Sequence, residues 1–169
     1  MAAQDIPGTG QQAGGPTHRS TDIPLDERRR MRHESRTSQT YKAFLKYLRD
    51  VGQFESEQAA QQAAFSVLCV LEQRLFGEED NDLEAQLPHK LRELLVRCDR
   101  HESGPPPHKF GREEMLAMVA TDLAVDADDA ESIVRAVFSA VQAQISEGES
   151  DDISGELPTD IRELWARPT

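Results

Sequence analysis

Beyond Tyr41, apolar residues return every three or four positions along most of the chain, the spacing that lines one face of an α-helix. Tyr41, Phe44, Leu45, Leu48 and Val51 make the first stripe, and Gly52 stands where a left-handed terminating residue is expected. Ser56 then offers an N-cap, with Glu57 in the first turn of the next helix. That helix sets Ala60, Ala64, Val67, Leu68, Leu71 and Leu75 on one face, widened by Phe65 and Cys69. So broad an apolar surface predicts a position near the centre of a bundle. It stops at Gly77, and Leu83, Leu87, Leu91, Leu94 and Leu95 form a third stripe. Residues 99–109 contain Pro105, Pro106 and Pro107 in succession, which cannot continue a helix and read as a spacer. The pattern then returns. Met115, Leu116, Val119 and Leu123 make one face, and after a capping Asp126 come Val134, Val137, Phe138, Val141 and Ile145.

The return is a duplication. Residues 81–95 and 151–165 align without gaps at an offset of 70 residues. They share an aspartate (Asp82, Asp152), a Leu-Pro pair (Leu87-Pro88, Leu157-Pro158) and the run Leu91-Arg92-Glu93-Leu94 against Ile161-Arg162-Glu163-Leu164. The same offset brings Leu68 onto Phe138 and Leu71 onto Val141; one inserted residue brings Phe44 onto Met115 and Leu48 onto Val119. Units of this size do not bury their apolar faces alone, so the two are expected to pack together. The fold class is all-α: two pseudo-repeated three-helix units, residues 40–98 and 110–169, form one helical bundle joined by the linker 99–109. A tail, residues 1–39, precedes it. The tail is rich in Gly, Pro, Gln, Ser and Thr and reads as disordered.

The doubled Leu-Pro signature, each copy closing a three-helix unit, resembles a prokaryotic family known as domain of unknown function family 2267, over residues 40–166. The resemblance implies an all-α fold in two related halves. It associates the chain with a stress-related role in a bacterium, and it carries no activity onto any residue.

Charge divides the chain. The net is −12, yet residues 1–39 hold six arginines against five acids, whereas residues 110–169 hold 4 basic and 14 acidic side chains. An acidic body repels phosphate backbones and anionic membranes and favours basic partners. No stretch approaches the ~18 apolar residues of a membrane span, and residues 1–30 hold no apolar run of a leader. Two cysteines, Cys69 and Cys98, make no disulfide framework and are expected as reduced thiols, Cys69 in the core. A cytoplasmic location follows.

Chemistry is sparse. Cys98-x-x-His101 lacks the second ligand pair of a structural zinc site, with only His89 and His108 in the neighbourhood. The acid groups at 78–82, 126–129 and 149–152 lack the glycine and terminal Glu of a calcium loop and fall at helix starts, where acids are favoured anyway. Residues 8–15, GTGQQAGG, misplace the third glycine of a dinucleotide fingerprint. No metal, cofactor or catalytic constellation is expected. The prolines Pro88 and Pro158 are read as first helical residues, where a missing N–H costs nothing. Arg92 and Arg162 are read as lying over a neighbouring helix and pairing with an acid there. The candidate contact is the basic run Arg28, Arg29, Arg30, Arg32 and Arg36. The expected function is therefore a non-enzymatic protein-interaction module. One alternative is nucleic-acid association through the basic tail; another is a ligand carrier or enzyme with a pocket between the halves.

Overall fold

A computed structural model describes residues 23–74, 85, 87–95 and 109–166. Among the described residues every regular element is a helix: α1 (Leu25–Gly52), α2 (Glu57–Arg74), α3 (His89–Leu95), α4 (Arg112–Leu123), α5 (Ala127–Gln142), α6 (Glu147–Glu156) and α7 (Thr159–Trp165). The tail residues 1–22, the acid group 78–82, Cys98, His101, His108 and the three linker prolines lie outside the described residues.

The duplication is visible in the packing. Equivalent positions Phe44 and Met115, Leu48 and Val119, Leu68 and Phe138, Leu71 and Val141, and Leu91 and Ile161 are all buried. Each fully buried side chain of this size stabilises by about 1.5–3 kcal/mol. Helices α1, α2, α4 and α5 form a closed ring, α1 on α2, α2 on α4, α4 on α5 and α5 on α1, and α2 and α5 also touch across it. The first helix of each half therefore lies against the second helix of the other. Polar bonds fasten the same seams. Ser66 Oγ on α2 donates to Asp122 on α4 at 2.7 Å, Arg74 Nε donates to the Phe110 carbonyl at 2.9 Å, and Tyr47 and Ser139 hydroxyls meet at 3.3 Å. The alanines of α2 allow this closeness, and Ala60, Ala63 and Ala64 are wholly enclosed.

Capping follows the sequence in part. Ser56 accepts from the Ala59 amide and Asp126 from the Asp129 amide. Ser146 and Glu149 form a reciprocal capping box at the start of α6. Gly52 does not play its expected part. It is the last residue of α1, and the left-handed residue is Gln53, at φ 53°. Gly52 is small for another reason: a Cβ there would lie 2.2 Å from the Phe54 ring, which folds back on it. The Phe54 amide bonds the Arg49 carbonyl at 3.1 Å. The second half repeats the motif, with Ala124 left-handed at φ 53° and the Val125 amide on the Ala120 carbonyl at 3.0 Å. A β-carbon makes that conformation costly, whereas glycine adopts it freely. Ala124→Gly should therefore raise the unfolding free energy by about 0.5–1 kcal/mol, the gain being trimmed by the greater freedom of glycine in the unfolded chain. Urea denaturation of the two proteins checks this.

Two readings change. Helix α1 begins at Leu25, so it takes in residues 25–39, which composition placed in the tail. Residues 25–35 are exposed all round, in keeping with their lack of an apolar face. They are helical because adding turns to an anchored helix avoids the cost of nucleation, and Asp26 and Glu27 suit its positive end. Cys69, buried as expected, is disulfide-bonded rather than a reduced thiol, and its partner lies outside the described residues. A count of two cysteines cannot pair them. No helix among the described residues is long and apolar enough to cross a membrane.

Candidate functional site

The basic run stands on the free end of α1. Arg28, Arg29, Arg30 and Arg32 are exposed; the side chain of Arg36 lies outside the described residues. At 3.6 residues per turn, Arg28, Arg29 and Arg32 fall within roughly a 100° arc of the helix. That arc is turned away from the face on which Tyr41, Phe44, Leu45 and Leu48 enter the core. Among the described residues no carboxylate pairs with Arg29, Arg30 or Arg32. On the bundle side the arm touches α3. The His33 and His89 rings meet edge to face with centroids 6.3 Å apart, and Lys90 Nζ lies 5.7 Å from the Tyr41 ring centroid. His89 Nδ1 is 3.5 Å from Glu93. Burial pushes the Tyr41 phenol above its ordinary value, and its buried hydroxyl has no hydrogen-bond partner among the described residues. The arm thus joins a short basic edge contributed by His89 and Lys90.

The repeat-signature residues have architectural work. Leu87 and Leu157 are buried. Pro158 precedes α7 with φ −55° and ψ 150°, so it caps the helix one residue earlier than the first-turn position expected, and its carbonyl accepts from the Arg162 amide at 2.8 Å. Pro88 does the same for α3 through the amides of Leu91 and Arg92. The third element of the second half is therefore a broken pair, α6 and α7. Among the described residues Arg162 pairs with no acid. Its guanidinium donates to the carbonyls of Ser154, Gly155 and Leu157, at 2.7, 3.2 and 3.0 Å, and so closes the C-terminal end of α6. Those carbonyls lack partners within the helix, and a cation is favoured at that end. Arg92 is half-buried, and among the described residues no partner reaches its Nε.

One carboxylate missed by the sequence reading organises the second half. Asp160 Oδ2 accepts from the Arg112 amide at 2.7 Å, and Oδ1 from the Ile161 amide at 3.0 Å, so a residue of α7 caps the start of α4. Gly111 makes this possible, because a Cβ there would lie 2.5 Å from Oδ2. The Arg112 amide, then the Ile161 amide, hold the Asp160 carboxyl below its ordinary value, against the opposing effect of burial. A depressed carboxyl stabilises the fold fully above 3.8, its ordinary value, and that contribution is lost as pH falls through the folded value. Asp160→Ala should cost about 1 kcal/mol at neutral pH, as for the loss of a helix cap. The gap between the two proteins should narrow as urea melts are taken from pH 7 down to pH 3.

Beside it, Arg112 and Arg135 share Glu131 at 2.7 and 2.9 Å, and Arg112 also reaches Glu163 at 3.3 Å. Arg112, then Arg135, hold Glu131 below the usual carboxylate value. The network is partly exposed and orients α4, α5 and α7 more than it stabilises them. A groove of about 290 Å³ runs between the halves, from Val51 on α1 to Arg135 and Ala136 on α5 and Leu164 on α7. Among the described residues no group of three His, Cys, Asp or Glu is placed to hold a metal ion.

The repeated core, the broken third element of the second half and its arginine-closed helix end can be set beside known families. A family model described as an uncharacterized conserved protein, DUF2267, matches residues 41–164. The chain belongs to this family. No curated protein matches the chain. The DUF2267 span takes in both halves of the bundle and begins at Tyr41, where α1 first enters the core, so the arginine arm precedes it.

Proposed function

We propose that the protein is a non-enzymatic interaction module whose basic helical arm binds an acidic surface of another protein. The observation that carries this reading is the orientation of the arm. Arg28, Arg29 and Arg32 face away from the bundle, and the acids of the chain's own body do not neutralise Arg29, Arg30 or Arg32 among the described residues. Held in a helix continuous with a packed one, these side chains lose less freedom on binding than they would in a flexible tail. The acidic body, net −13 over residues 40–169, opposes close approach of a polyphosphate and so favours a protein partner.

The test uses the full chain and an Arg29→Gln/Arg30→Gln/Arg32→Gln variant as baits in the native host, with quantitative mass spectrometry. Acidic proteins recovered by the full chain and lost by the variant are the expected result. Identical recoveries would overturn the reading. Binding to duplex DNA that weakens steeply with salt and vanishes in the variant would replace the protein partner with nucleic acid. The groove beside Val51 supports a second reading, a carrier of a small ligand between the halves, which would announce itself as a stoichiometric compound released on denaturing the purified protein.

A further inference from the structure

The arm and an acidic helix share one end of the molecule. Tyr47 on α1 meets Ser139 on α5, and one turn further along α1 Val51 lines the groove with Ser132, Arg135 and Ala136. The two helices are therefore antiparallel. Followed back from Tyr47, α1 passes the end of α5 at Gln142 before it reaches Tyr41, and its arm runs on for about 24 Å at 1.5 Å per residue. Helix α6 starts from that same end, at Glu147. The arm holds no proline or glycine at which to bend, so it continues the line of α1. Its arc of Arg28, Arg29 and Arg32 faces outward, and its own α6 is not in front of it. Arg29 and Arg32 are in no ion pair among the described residues.

Helix α6 is the chemical complement of that arc. Its sequence holds Glu147, Glu149, Asp151, Asp152 and Glu156 and no base. Glu149 is engaged in the capping box, whereas Glu147, Asp151 and Asp152 are exposed. The described bases of the second half are turned elsewhere, Arg112 and Arg135 to Glu131 and Arg162 to the carbonyls that end α6. Glu147 and Asp151 are four residues apart, as are Arg28 and Arg32, so rows of opposite charge repeat about every 6 Å on both helices. On the arm, Glu27 and Glu34 fall on the side away from the arginine arc. The opposing force is the net charge of −12 on each copy. At ~0.1 M salt the Debye length is ~10 Å, so repulsion between distant parts of two bodies is screened while charges in contact still attract.

We propose that the outward face of the arm is a docking surface for a second copy of this chain, with α6 as the element it meets. Because arm and α6 stand at one end, a single two-fold axis lays each arm on the other copy's α6, so the contact is made twice and closes. Exposed ion pairs are individually weak. The dimer is therefore reversible, sustained by the doubled contact and by the little freedom a stiff arm has to lose. This inference rests on the reading of the arm as a ligand for an acidic protein surface, and it names that protein.

The test is sedimentation equilibrium of the full chain at ~0.1 M salt and at ~1 M, where the Debye length falls to ~3 Å. Protein concentrations reach ~1 mM, enough to populate a weak interface. The parent is compared with an Arg29→Gln/Arg30→Gln/Arg32→Gln variant and a Glu147→Gln/Asp151→Asn/Asp152→Asn variant, with circular dichroism to confirm that each is folded. The expected result is a mass rising from 18.9 kDa toward twice that value in the parent at the lower salt, with association about tenfold or more weaker at the higher salt and in either variant. An equimolar mixture of the two variants retains one intact arm–α6 contact per pair. It should associate more than either variant alone, which misfolding would not produce. A parent that stays monomeric, association unchanged in either variant, or a mixture no better than its components would overturn the proposal. A monomeric parent that still recovers acidic host proteins through its arm would remove the second copy alone; one that recovers none would remove the reading of the arm as well.

Discussion

Trp165→Ala should lower the unfolding free energy by about 3–5 kcal/mol, the usual cost of emptying a large core site. Trp165 is 4% exposed, and its ring lies 5.1 Å from that of Phe138, centroid to centroid. The substitution removes this contact and the bond to Ser150, and it leaves a cavity between α5, α6 and α7. Trp165→Phe separates the contributions. It keeps most of the ring volume and loses the Nε1 bond, so it should cost about 1 kcal/mol from that bond alone. Circular dichroism in urea is the measurement, because the substitution also removes the fluorophore. A loss under 1 kcal/mol for the alanine variant would mean that α7 is not part of the cooperative unit.

Separating the halves should have a still larger effect. Residues 40–100 and 109–169, expressed alone, should each be largely unfolded and should recover helix content when mixed. The reason lies in the ring of helices. In the intact chain α1 packs on α5 and α2 packs on α4, so each half alone exposes faces that the other covers. Isolated Phe44, Leu48, Leu68, Met115 and Val137 would meet water. A unit of some 60 residues stripped of that cover sits below the size at which a single core suffices. Either half melting cooperatively on its own, with near-native helix content, would show that the seam contributes little.

The chain announces its helices because burial is periodic. The repeat-matched core pairs Phe44–Met115, Leu48–Val119, Leu68–Phe138, Leu71–Val141 and Leu91–Ile161 are buried on both sides, whereas Leu94 is only half-buried opposite a buried Leu164. Caps made by a residue's own neighbours were equally legible: Ser56 and Asp126 bond amides three residues on. Features that depend on a partner far along the chain were not. Asp160 caps a helix that begins 48 residues earlier, and no local pattern encodes that. Arg162 looked like half of an ion pair because a sequence shows side-chain charges and hides the bare carbonyls of a broken helix. Gly52 looked like a left-handed residue, since that is the common reason for a glycine at a helix end, whereas the contact with Phe54 is tertiary. The arm at residues 25–39 lacked an apolar stripe and so read as tail; its helix is inherited from the packed turns that follow.

The closed ring of α1, α2, α4 and α5 has one more consequence. Two equivalent hairpins, each laying its first helix on the other's second, present the isologous contact of a two-fold homodimer. Joined in tandem, such subunits meet at an effective concentration set by the connecting segment and no longer by the abundance of the protein. Tandem fusion also releases the subunits from having to be identical. A surface feature arising in an ancestral homodimer would occur twice; in the fused chain it needs to occur once. The run of five arginines that precedes the first repeat is not copied before the second, a polarity that a symmetric dimer cannot have.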